Sequence, residues 1–397
     1  MKKYKNYFLN TFTYVLSSFG ILILGLLIYF IFSNGISSLS ISLLKNDYQA
    51  VNYNAKLVED INFHYYTDPN YEKGHFSSKW GVVLEDKIDN QKKPIVVVSY
   101  LDNSSPLRNM QDISSRQIVR IKEEMIIEKI IMENDEGNLI ISLSKEGASS
   151  IVNKMDEGIV ITDMLTRTEG GGIRSSLITT LYLIFLTLII SLPLGIASAI
   201  YLSEFAPNNR FTRFLRSLID MISGIPSIIF GLVGAVVFIP FMNVLINSDG
   251  GSIASGALTL SIMLLPIIIR TTEEGIKIVP NNLRHASLAL GANLTQTTFK
   301  VVLPNALSSI LTAVLLSIGR IIGESAALIY AIGTVISDEV SINMRSTSLS
   351  VHIWSLMSGE NPNFEVSSAI AIIILIIVFI LSALIKILSI NLNKRLT

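Results

Sequence analysis

Residues 317–333 read SIGRIIGESAALIYAIG. Two charges, Arg320 and Glu324, stand in an otherwise apolar stretch. One charge at the centre of a bilayer costs about 3 kcal/mol on insertion scales. Residues four apart share a helix face and can pair, which reduces that cost without removing it. Gly319 and Gly323, also four apart, predict an adjoining strip where another helix approaches closely. Ser317 and Ser325 add hydroxyls nearby. Two readings follow. The pair is a buried ion pair that orders a helix bundle, or it lines a solute path. For the second, arginine offers a planar fork of donors that matches an oxyanion. The glutamate would keep the empty site near neutral and let a bound anion leave.

The surrounding chain supports a membrane setting. Of 397 residues, 50% are hydrophobic and only 16% charged, and mean hydropathy is +0.53. That is too apolar for an ordinary soluble domain. Formal net charge is +0, which gives no basic signature for nucleic acid. Cysteine is absent, excluding disulfides and thiolate chemistry. His64, His75, His285 and His352 share no metal-ligand spacing. No HExxH, paired-acid or serine-base pattern marks an intramembrane enzyme.

A spanning helix needs about 20 mostly apolar residues. Six segments qualify: 12–33, 174–203, 218–246, 252–272, 305–336 and 367–390. The predicted fold class is therefore an all-α polytopic membrane protein. Pro193, Pro226, Pro240 and Pro266 are tolerated where neighbours satisfy the freed backbone. The first segment follows MKKYK and lacks an A-x-A-like cleavage site, so it reads as an uncleaved anchor. Lys and Arg in short loops set orientation. Lys2, Lys3 and Lys5, then Arg210, Arg213 and Arg216, then Lys277, Arg284 and Lys300, then Lys394 and Arg395 all fall on one side. That side is read as cytoplasmic, with both termini on it.

Three regions follow: 1–35, the N-terminus and first helix; 36–172, an extracytoplasmic domain; and 173–397, a helical core with a cytoplasmic loop over 273–304. The outer region holds 15 basic and 21 acidic residues, a solvated rather than membrane-buried balance. GVVLEDKIDNQKKPIVVVSY and EKIIMENDEGNLIISLS read as hairpins around polar turns, giving a small β-rich or α+β domain. The acids and aromatics of VNYNAKLVEDINFHYY, 51–66, read as surface and core. TEGGGIRSS, 168–176, reads as a flexible hinge. No P-loop pattern occurs in the chain, so it would not itself hydrolyse ATP. Arg270, ending LPIIIR, reads either as a snorkelling interface residue or as part of the inner mouth of a path.

RHASLALGANLTQTTFKVVLP, 284–304, predicts a short helix, a break at Gly291 and a second short helix before Leu303-Pro304. An interfacial amphipath is the plain alternative. The stretch resembles the EAA loop of ABC importer permeases. His285, Ala286 and Ser287 fall on the E-A-A positions, with His285 replacing the usual acid, and Gly291, Leu303 and Pro304 fall on the rest. TLYLIFLTLIISLPLGIASAIYLSEFAP, GIPSIIFGL, PIIIRTTEEGIKIVP, IGRIIGESAALIYAIG and SVHIWSLMSGE together resemble the PstA family of phosphate permeases over roughly 170–390. The outer region is not covered.

The resemblance implies a type I ABC importer permease fold and a division of labour. A PstS-like extracytoplasmic phosphate-binding protein delivers phosphate. A PstC-like second permease pairs with this one. A dimer of a PstB-like ATPase subunit, using ATP and Mg, drives the cycle against the EAA loop. This chain would bind no cofactor or metal and would contact membrane lipid but no nucleic acid. The resemblance puts the path at Arg320 and Glu324, to which the reading of the residues adds Ser325 and Arg270, and the ATPase-coupling residues would be His285, Ala286, Ser287, Gly291, Leu303 and Pro304. The rival readings are a permease for sulfate, molybdate or tungstate, and a membrane-anchored sensor working through its outer domain.

Overall fold

The computed structural model describes residues 2–57, 65–69, 71, 74–88, 93–113, 116–359 and 362–396, without the side chains of 2–10 and 392–396. The chain divides into two compact units. One is helical and comprises 1–45 with 173–397; the other is 46–172. The helical unit begins with α1 (Lys2–Gly35) and α2 (Ile41–Lys45).

The unit 46–172 holds β1 (Asn52–Leu57), β2 (His75–Ser77), β3 (Val82–Ile88), β4 (Pro94–Leu101), β5 (Met110–Asp112), β6 (Ile118–Val119), β7 (Ile126–Glu133) and β8 (Leu139–Leu143). Helix α3 (Ala148–Glu157) and β9 (Val160–Arg167) complete it. Its strands form one sheet in the order β2-β3-β4-β7-β9-β1-β5-β6, with β8 added on β7. Both predicted hairpins are present: Val83 faces Tyr100, and Lys129 faces Leu143. Gly137, φ +78°, turns the second, a conformation open to glycine without steric cost. The polar turn of the first, 89–92, and residues 58–64 of the acid–aromatic cluster lie outside the described residues. Helix α3 buries Ile151, Val152 and Met155 in the same core as Val82, Leu84 and Ile130. The indole of Trp80 donates to Met155 O at 2.7 Å, so its polar edge is satisfied while its rings fill the core.

The rest of the helical unit runs through α4 (Arg174–Ile200), α5 (Arg210–Ser223), α6 (Ser227–Val233), α7 (Ile239–Ile246) and α8 (Ile253–Ile278). It continues with α9 (Asn281–Ala289), α10 (Leu294–Thr297), α11 (Leu303–Gly323), α12 (Ala326–Ala331), α13 (Leu349–Met357) and α14 (Phe364–Leu396). Among the described residues six helical segments are long and apolar enough to cross a membrane: Thr11–Ser38, Arg174–Phe205, Ser227–Ile246, Ile253–Ile278, Leu294–Gly323 and Phe364–Asn391. α8 is the central one, and Leu260, Leu264 and Ile268 share its core with Leu183, Phe230 and Ile321.

Two spans differ from the sequence reading. The predicted third span, 218–246, breaks at Gly224-Ile225-Pro226. The pyrrolidine cannot continue a helix, so α5 becomes a separate helix and the span begins at Ser227. The predicted fifth span, 305–336, ends at Gly323, because Glu324 adopts an extended backbone, φ −80° and ψ 122°. Hydropathy sees apolar content on both sides of each break and cannot register either.

Candidate functional site

The break at Glu324 shapes the charged pair. Arg320 lies in the last turn of α11, where a cation favours the unsatisfied carbonyls. Glu324 follows as the residue that leaves the helix, so the two do not share one helix face as predicted. They remain paired, Arg320 Nε to Glu324 Oε2 at 3.5 Å. The other carboxylate oxygen accepts from Ala327 N at 3.3 Å, at the start of α12. Ser350 Oγ donates to the main-chain oxygen of Glu324 at 2.6 Å, fastening α13 to the break. The carboxylate is buried, with 7% of its side chain exposed, whereas the Arg320 side chain is 47% exposed. The guanidinium is thus half-exposed, and its ion pair with Glu324 is made through Nε.

Gly319 and Gly323 also face open space, since a Cβ at either would meet nothing within 4 Å. Among the described residues no other helix lies within 4 Å of these Cβ positions. Close helix packing is instead made by Gly231 of α6, whose Cβ position lies 2.7 Å from Ala327 O of α12. Ser325 is half-buried at the start of α12 and makes no side-chain cap bond. Ser317 is buried and donates to Ala313 O of its own helix at 2.8 Å, so its hydroxyl is not turned to a polar interior.

Arg270 is ion-paired with Asp220 of α5. It is therefore neither free at an interface nor joined to Arg320. Beside it, Glu273 has 2% of its side chain exposed and meets Arg216 of α5 at 2.9 Å and Lys277 at 2.8 Å. Arg216 also donates to Leu202 O at 2.6 Å. α5 is thus clamped along α8 by two ion pairs. Sequence reasoning missed these partners and used the basic residues only for orientation. The available signal was the acidic pair Glu273-Glu274 inside a span-length helix.

The loop 281–304 forms the predicted first helix and the break, but the second helix is not a separate short one: from Leu294 it continues through a π-helical turn, Thr298–Val302, into α11. α9 ends at Ala289 with Leu290 as its cap, Gly291 adopts φ +89°, and Asn293 with Gln296 forms a capping box on α10. Ser287 and Thr297 hydroxyls meet at 2.9 Å, closing the two helices on each other. His285, Ala286 and Gly291 are exposed. Leu290 is 89% exposed at the tip, flanked by exposed Leu288, Leu294 and Phe299. Val302 is buried, and Leu303 and Pro304 open α11. An apolar tip on a polar loop has the character of a docking surface.

His352 of α13, outside the six spans, is buried with Nδ1 2.8 Å from Ser176 Oγ. Burial lowers its pKa to about 4, against an opposing pull from Asp338. Among the described residues no group of three or more His, Cys, Asp or Glu is arranged to hold a metal ion.

Residues 191–397 match the family model described as binding-protein-dependent transport system inner membrane component. The chain belongs to this family. As a permease of that family it is similar to the probable ABC transporter permease protein YqgI of Bacillus subtilis. The identity is 33% over 249 residues, covering 58% of this chain and 83% of that one. It is also similar to the phosphate transport system permease protein PstA of Haemophilus influenzae, at 33% over 195 residues, covering 49% of this chain and 66% of that one. A solved methionine ABC transporter in inward-facing conformations aligns with a TM-score of 0.43 and 21% identity, over 56% of this chain and 94% of that one. The permease is thus a PstA-type, multi-pass ABC importer subunit of type I fold, and ATP hydrolysis lies with a separate subunit.

Proposed function

We propose that the chain forms half of a path for inorganic phosphate across the cytoplasmic membrane, with Arg320 as the transient ligand. The observation that carries this is the half-exposed guanidinium at the end of a membrane span, paired on one side only with a buried carboxylate. A half-exposed arginine in hydrocarbon is costly even when paired, so it belongs to a water-filled path or to an interface with a second permease. Glu324 is fixed by Ala327 N and by Ser350, so it holds the arginine in place and offsets its charge when no anion is bound. The charge offset keeps occupancy short. Ser325 stands next to the pair, and Arg270, held by Asp220, serves the inner mouth. The PstA relative is a phosphate permease by name, which supports this anion class.

The partners follow from the same reading. A second, PstC-like permease completes the path, a PstB-like ATPase dimer engages the loop tip around Leu290, and a PstS-like binding protein delivers phosphate. The basic clusters of the short loops support both termini and the loop lying in the cytoplasm, with residues 36–172 outside. Uptake of radiolabelled phosphate by Arg320→Ala, at equal expression and assembly, tests the ligand role. We expect uptake to fall at least about tenfold, the loss of one charge-assisted contact of about 1.4 kcal/mol or more. Parental uptake by this variant would leave the pair a structural ion pair.

A further inference from the structure

The loop that would meet the ATPase has to move membrane helices, and a flexible connection would dissipate that motion. Among the described residues a firm connection centres on Arg284. Arg284, in the first turns of α9, has 17% of its side chain exposed, and Glu204 has 7%. They meet in fork geometry, Nη2 to Oε1 at 2.9 Å and Nε to Oε2 at 3.5 Å. The same guanidinium donates to Ile276 O at 2.8 Å, to Val279 O, and to Asn281 Oδ1 at 3.3 Å. Ile276 lies in the last turn of α8, its carbonyl also accepting from Val279 N at 3.3 Å, and Val279 is the residue that caps the helix. One side chain therefore joins three elements: the end of α4, the end of α8 and the start of α9.

The placement of Glu204 depends on a local irregularity. Residues Tyr201–Phe205 form a π-helical turn continuing α4, the kind of extra-residue turn found at functional positions. The same turn supplies Leu202 O to Arg216 of α5, which in turn holds Glu273 of α8. The helices touched by Arg284 are thus cross-braced a second time.

Resting on the reading of 281–304 as the ATPase-docking loop, we propose that Arg284 and Glu204 form the strut that carries motion of that loop into α4 and α8. They are positioning residues that touch neither phosphate nor nucleotide. A planar fork with five donors suits this role better than a lysine, which would hold one acceptor at a time. Loss of the strut is expected to waste ATP, because docking and hydrolysis continue while the helices no longer follow.

The test uses the fact that the chain has no cysteine. Glu204→Cys with Arg284→Cys is assembled with its ATPase, second permease and binding protein in proteoliposomes. ATP hydrolysed per phosphate imported is measured before and after cross-linking with a bis-methanethiosulfonate of matching span, and again after reductant. We expect the reduced pair to raise the ratio about tenfold, within the usual range of coupling energies. Cross-linking should bring it back towards the parent, and reductant should release it again. Glu204→Gln alone should raise the ratio in the same direction with the complex still assembled. A parental ratio in the reduced double variant, or a ratio that cross-linking leaves unchanged, would overturn the strut. Leu290→Asp, at the loop tip, separates this from the docking reading. If that variant still co-purifies with the ATPase subunit, the docking assignment itself fails. If it loses the ATPase while the ratio in Glu204→Gln stays parental, only the strut fails.

Discussion

Replacing Gly231 by alanine tests how the charged pair is held. The new Cβ would lie 2.7 Å from Ala327 O and 2.8 Å from Ala327 Cα. Ordinary contact begins at 3.4 Å, so α6 and α12 have to separate by about 0.7 Å, and backbone cannot rotate away as a side chain can. Overpacking of this kind costs about 1–3 kcal/mol. Alanine in a helix returns about 1 kcal/mol, which leaves a net loss of up to about 2 kcal/mol. Because Glu324 caps the first turn of α12 through Ala327 N, the shift also displaces the carboxylate that orients Arg320. Thermal unfolding of the purified chain in detergent measures the stability term, and phosphate uptake measures the displacement. Gly319→Ala is the control. It has open space around it and should leave the isolated chain unchanged or up to about 1 kcal/mol more stable. If it nevertheless impairs assembly with a second permease, that surface is covered in the complex. A parental Gly231→Ala beside a destabilised Gly319→Ala would refute this packing account.

Two further outcomes follow from single residues. His352 is held neutral with a pKa of about 4 against an ordinary 6.5, so the unfolded chain binds a proton that the folded chain refuses. Stability should therefore be unaffected above pH 6.5 and fall by about 3 kcal/mol as pH drops from 6.5 to about 4. His352→Gln should remove that slope in a pH series of unfolding measurements, and an unchanged slope would assign it to other groups. Gly291→Ala has open space but a φ of +89°. Its cost of about 1–3 kcal/mol is then purely backbone strain. Co-purification of the ATPase subunit should weaken while the unfolding of the helical unit stays parental.

Much of the architecture was legible because local physics writes it locally. Six apolar runs marked the spans, and the helix–Gly291–helix loop followed from spacing. Alternation with DEGN between the runs marked the β7–β8 hairpin. What escaped notice depends on residues far apart or on backbone conformation. Glu324 leaves its helix because Ala327 N and Ser350 hold it, and Ser350 is 26 positions away. Arg284 and Glu204 are separated by 80 positions, and neither is unusual in its own neighbourhood. Gly319 and Gly323 read as a packing strip, yet among the described residues nothing packs on them, while Gly231 does the packing without a repeating signal. The strand order of unit 46–172, which brings β9 between β7 and β1, is equally a matter of distant pairing.

The most direct test of the phosphate path is uptake in a host lacking its own phosphate importer, expressing this chain with its partner permease, ATPase and binding protein. Radiolabelled phosphate is offered alone and with excess sulfate or molybdate. The path described here predicts uptake that requires the chain, ignores both competitors and is lost in Arg320→Ala. Phosphate uptake suppressed by sulfate or molybdate, or uptake of those anions in place of phosphate, would contradict it.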